Sequence, residues 1–161
     1  MTILGFNPSH HGSVCLLEDG ELKFFIQEER IGNREKYSNF PFKSFIEALQ
    51  NNKIDAISYG APSLSYPLNS NLLDHSESYW GKLAMSYHPD LKISNFSNRH
   101  HHTSHVAHSF YNSGFRKAIG VVIDGIGSIM KDDEGREIGH ETETIYYCSF
   151  PSTFKPLDKN I

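Results

Sequence analysis

Apolar and polar positions alternate in short blocks at the start of the chain. Thr2 to Phe6 is an apolar run ending at Asn7-Pro8, Ser13 to Leu17 is a second, and Leu22 to Ile26 is a third. Polar Ser9-His10-His11-Gly12 breaks the first pair, and Asp19-Gly20, a strong hairpin signal, breaks the second. The pattern predicts three consecutive antiparallel strands, a β-meander. Glu28-Glu29-Arg30 closes the third strand with charge, and residues 31–39 read as a polar loop. Pro41 suits a helix start. Phe42, Phe45, Ile46 and Leu49 then recur at i, i+3, i+4 and i+7, which predicts a helix with one apolar face, fading at Asn51-Asn52. Asp55 to Gly60 reads as a short strand, so the order to that point is β-β-β-α-β.

Residues 62–90 carry little pattern beyond a helix expected over Glu77 to Met85. Leu91 to Phe96 is expected as a strand, followed by a helix from about Asn98 to Asn112. Ala118 to Ile123 is wholly apolar and predicts a buried strand, ending at Asp124-Gly125-Ile126-Gly127. A charged hairpin is expected around Asp132 to Gly135. Glu141 to Phe150 has a β-rich centre at Thr144-Ile145-Tyr146-Tyr147-Cys148, and Ser152 to Ile161 shows no strong pattern.

Composition narrows the classes. The 161 residues suit one ordinary domain, or one and part of a second. A net charge of -4 argues against a strongly basic nucleic-acid binder. No apolar run approaches a membrane span, and the early polar residues do not form a secretory signal. Cys15 and Cys148 make neither a disulfide framework nor a zinc knuckle, so a reducing cytoplasm is the simplest location. One count is out of line: ten histidines, of which His100, His101, His102, His105 and His108 are clustered.

On a helical wheel, His101, His105 and His108 fall on one face, with Thr103, Val106, Ala107 and Phe110 on the other. Residues four apart lie about 5–6 Å apart at Cβ. Two such imidazoles can reach one cation at roughly 2.0–2.1 Å for zinc, and imidazole suits zinc, iron, nickel and copper alike. The same stretch also reads as a solvated surface or an artificial tag. A third ligand from elsewhere is needed, and Asp124 is the best candidate. It ends a strand at the sheet edge, where it either reaches into a cleft or initiates a turn; spacing leaves both open.

Ile3-Leu4-Gly5-Phe6-Asn7, His10, Ser13, Asp19-Gly20, Glu28-Glu29-Arg30, Arg34, Lys36 and Phe40-Pro41, taken in order, resemble the start of the O-carbamoyltransferase family of nodulation-factor and antibiotic biosynthesis. His101-His102-Thr103-Ser104-His105-Val106-Ala107 with Phe110-Tyr111 and Ser113-Gly114-Phe115 resembles the family's His-His-x-x-His helix. Ala118 to Gly127 resembles the following strand and its Asp-Gly-x-Gly turn. The resemblance implies an α/β, actin-like fold of RNase H-like halves, with a first subdomain over 1–116 and the start of a second over 117–161. It implies that His101, His105 and Asp124 bind a divalent metal, usually iron(II), with a further ligand beyond Ile161. It makes His10 a base or proton carrier and Lys36 a contact of carbamoyl phosphate. Without the resemblance, His10 reads as a polar turn residue and Lys36 as a solvated charge.

The implied function is transfer of a carbamoyl group from carbamoyl adenylate, made from carbamoyl phosphate and ATP, to an acceptor hydroxyl. The acceptor is a small molecule: a sugar, nucleoside or natural product. The family's adenylate-forming C-terminal domain is not in this sequence, so the chain is expected to be an N-terminal portion, inactive alone. His11, His108-Ser109 and Ser128 depart from the family pattern and bear on substrate contacts more than on metal binding. The rival readings are a stand-alone metal-binding or interaction module and a relative of the tRNA threonylcarbamoyl-transferases.

Overall fold

The structure, a computed structural model, describes residues 1–8, 11–32, 40–59, 78–93 and 101–161. They form two compact units, one up to Ile93 and one from His101 on. The fold is mixed α/β. By contact, the histidine helix goes with the second unit; the subdomains named above divide after it.

The first unit is built on the expected meander, β1 (Thr2–Asn7), β2 (Ser13–Glu18) and β3 (Glu21–Gln27). Asp19 and Gly20 both have positive φ, at 50° and 87°, the backbone that a two-residue hairpin of matching twist requires. Side chains alternate across the sheet, so Leu4 and Phe6 of β1 and Val14 and Leu16 of β2 share the buried face. Two helices cover that face. α2 (Phe42–Asn51) contributes Phe45, Ala48 and Leu49, and α3 (Tyr79–Tyr87) contributes Trp80 and Ala84. Burying a side chain such as Phe45 stabilises the unit by about 1.5–3 kcal/mol. β4 (Ala56–Tyr59) pairs parallel with β1, and β5 (Lys92–Ile93) pairs parallel with β4. The sheet order is β3-β2-β1-β4-β5.

Glu28-Glu29-Arg30 does not close a strand with charge. It forms a short helix, α1 (Glu28–Gly32), and Glu28 points inward. Its carboxylate accepts from Lys43 N at 2.9 Å, Ser44 N at 2.9 Å and Ser44 Oγ at 2.6 Å. Pro41 at the N-cap of α2 has no side-chain acceptor to offer, so Glu28 serves the free amides from a distance. At the other end, the Asn51 and Asn52 side chains donate to the carbonyls of Glu47 and Ala48.

The second unit is a three-stranded antiparallel sheet, β10-β9-β6, covered on one face by α4 (His101–Ser113). β6 is Lys117–Ile123, β9 is Glu143–Ser149 and β10 is Thr153–Asn160. Val106 and Phe110 of the helix meet Val122, Tyr146 and Cys148 of the sheet. A Cβ at Gly120 would lie 2.3 Å from Val106 Cγ2, so glycine there admits the helix. A separate hairpin, β7 (Ile129–Lys131) and β8 (Glu137–His140), turns at Asp132 to Gly135 as expected.

Two sequence expectations need correction here. β6 is not buried on both faces: α4 covers one, while Ile119, Val121 and Ile123 on the other are 60%, 60% and 76% exposed. An apolar run does not say how many faces are covered. The last ten residues are not patternless coil but β10. Its Pro156 and charged residues mask the strand signal, and they are tolerated because β10 is a sheet edge with a register shift between Pro156 and Asp158.

Candidate metal centre

α4 presents His101 and His105 on one face, one turn apart. The end of β6 brings Asp124 to them. His101 Nε2 lies 2.6 Å from Asp124 Oδ2 and 3.2 Å from His105 Nε2, and His105 Nε2 lies 3.8 Å from Asp124 Oδ2. The three predicted ligands therefore converge. His10 and Lys36 lie outside the described residues, and nothing places them against this cluster.

The donor set fits a cation. Two donors each roughly 2.1 Å from one ion, at bond angles of about 90–110°, are separated by about 3.0–3.4 Å, and the three observed separations bracket that range. Protons alone serve the cluster poorly. Once His101 Nε2–H donates to Asp124, that nitrogen has no lone pair left for His105. Burial and the neighbouring His101 push the His105 imidazole below its ordinary value, favouring the neutral form that binds metal. Burial acts to raise Asp124. The hydrogen bonds from His101 and from Gly125 N outweigh it and hold the carboxyl below the usual aspartate range.

The sequence reading missed His102, which is fully buried. The buried stripe of α4 is His102, Val106 and Phe110, not Thr103, Val106, Ala107 and Phe110. The signal was present, since 102, 106 and 110 are spaced by four along one side of a helix. His102 Nδ1 meets Thr144 Oγ1 at 2.8 Å, and Thr144 Oγ1 donates to Glu141 Oε1 at 3.3 Å. Glu141 is buried too and receives Lys159 Nζ. Burial pushes the His102 imidazole below its ordinary value. Burial would raise the Glu141 carboxyl, but Lys159 and His102 hold it low. No sequence spacing pointed to Glu141.

No family model matches the chain. Over 166 aligned residues, covering 89% of this chain, it is 30% identical to nodulation protein NolNO of Sinorhizobium fredii (strain NBRC 101917 / NGR234). The chain is a relative of NolNO. That agrees with the resemblance drawn from the motifs, which named the nodulation-factor enzymes. The alignment spans 23% of the length of NolNO. No helix among the described residues is long and apolar enough to cross a membrane.

Proposed function

We propose that this chain is the metal-binding portion of an O-carbamoyltransferase. The observation that carries the reading is the convergence of His101, His105 and Asp124, whose donor atoms all lie within 4.8 Å of one another, in a relative of NolNO. The sheet order β3-β2-β1-β4-β5, three antiparallel strands followed by two parallel ones, supports an RNase H-like first subdomain. In the complete reaction a carbamoyl group passes from carbamoyl adenylate, formed from ATP and carbamoyl phosphate, to an acceptor hydroxyl. His101, His105 and Asp124 would hold a divalent ion, iron(II) on this reading. When bound, such an ion supplies a Lewis acid for a carbonyl or phosphoryl oxygen. His10 is the proposed base, since a neutral imidazole can take a proton from a hydroxyl. Lys36 supplies a compact charge for phosphate.

The test is metal stoichiometry after anaerobic purification and chelator dialysis. Wild type is expected to retain close to one equivalent and His101→Ala/His105→Ala much less. Equal retention by both would defeat the site.

A further inference from the structure

The buried residues beside the metal centre do more than fill space. Helix α4, which carries His101 and His105, and the turn that carries Asp124 are both tied to one residue, Glu141. On the helix side the link is the side-chain chain His102 Nδ1–H to Thr144 Oγ1 to the Glu141 carboxylate. On the turn side it is main chain: Gly127 N donates to Glu141 O at 2.8 Å and Glu141 N donates to Ser128 O at 2.9 Å. Asp124 N is pinned next door, to Thr142 O at 2.9 Å. Lys159 neutralises the hub carboxylate.

The three parts close on Gly127. A Cβ there would lie 2.7 Å from Glu141 O and 2.8 Å from His102 Nε2, so helix, hub and turn meet with no space for a methyl group. His102 Nε2 has no hydrogen-bond partner among the described residues. With Nδ1 carrying the proton toward Thr144, Nε2 presents only a lone pair to Gly127, which costs less than an unmet N–H. An apolar side chain at position 102 would fill this stripe without a buried imidazole, a buried carboxylate and a lysine to neutralise it. The polar network is placed where it links the two ligand-bearing elements.

We propose that the Glu141–Thr144–His102 network is a positioning device that sets the distance between the His101/His105 face of α4 and Asp124, and so sets the affinity and geometry of the metal site. The inference rests on reading those three residues as metal ligands. Outer partners of this kind typically change metal affinity by 10–100-fold.

Cobalt(II), whose visible absorption reports coordination geometry, is the probe. It is titrated into wild type, Thr144→Val, Thr144→Ser and His101→Ala, after thermal melts show which variants are folded. Thr144→Val is expected to bind cobalt about 10–100-fold more weakly with altered bands, and Thr144→Ser, which keeps the hydroxyl, to bind like wild type. If Thr144→Val does not fold, Lys159→Met replaces it with a fall of several-fold or more expected. A folded Thr144→Val or Lys159→Met with wild-type affinity and bands would overturn the inference. Wild-type cobalt binding by His101→Ala would instead overturn the ligand assignment, and the inference with it.

Discussion

Replacing Glu28 with alanine should unfold much of the first unit's margin of stability. Glu28 is 4% exposed, and its carboxylate is the acceptor for Lys43 N, Ser44 N and Ser44 Oγ. Truncation leaves two main-chain donors at the start of α2 without that partner. A buried donor left unmet costs about 1–3 kcal/mol, and loss of a helix cap costs about 1 kcal/mol. Ser44 Oγ can rotate toward another acceptor, so it is left out of the sum. The expected loss is about 2–4 kcal/mol, against about 5–15 kcal/mol for a whole domain. At roughly 4–8 °C per kcal/mol for a domain of this size, a loss near 3 kcal/mol lowers the melting midpoint by about 12–24 °C. Glu28→Gln keeps the shape and one acceptor oxygen, and should fall between wild type and Glu28→Ala. Urea titration followed by far-ultraviolet circular dichroism measures the difference. A loss below about 1 kcal/mol for Glu28→Ala would refute the capping role.

The Glu141 carboxyl is held below its ordinary value in the folded chain, so unfolding takes up a proton there. Its contribution is complete above the ordinary glutamate range and is lost as pH falls through the lowered folded value. Acid titration of the second unit should therefore show Lys159→Met less stable than wild type near neutral pH, with the gap closing as pH falls through the lowered Glu141 value; a gap that does not change with pH would count against the pair. On the open face of β6, Ile119→Thr with Val121→Thr keeps strand propensity and removes apolar surface. Sedimentation velocity should show less self-association, with the melt of the second unit little changed, and equal association would mean that this face is not the cause.

Much of this fold is legible in the chain because local signals agree there. Asp19-Gly20 sits between two alternating runs, and Phe42, Phe45, Ile46 and Leu49 keep helical spacing, so meander and helix follow from turn chemistry and period. The His101–His105–Asp124 cluster is legible for the same reason: two histidines four apart, then an aspartate at a strand end. What is hidden depends on long-range contact. Glu28 looks like surface charge until α2, fourteen residues on, is seen to lack a cap of its own. Glu141 and Thr144 gain their role only when β9 is laid beside α4. β10 is masked by Pro156, and the open face of β6 reads as core because apolarity does not report coverage.

His101 and Asp124 are 23 residues apart and belong to one helix and the next strand. That proximity along the chain bears on the order of folding. Loop-closure entropy grows slowly with length, about 0.6 kcal/mol for each doubling. The contacts of α4 with β6 span less chain than those with β9 or β10, and contacts of smaller separation tend to form earlier. An ion bound by His101, His105 and Asp124 would clamp this helix–strand pair before β9 and β10 arrive, and free energy of binding then becomes free energy of folding. Refolding in the presence of cobalt should accordingly be faster than in chelator, and the difference should vanish in His101→Ala. Equal rates in wild type would place assembly of the site after the sheet.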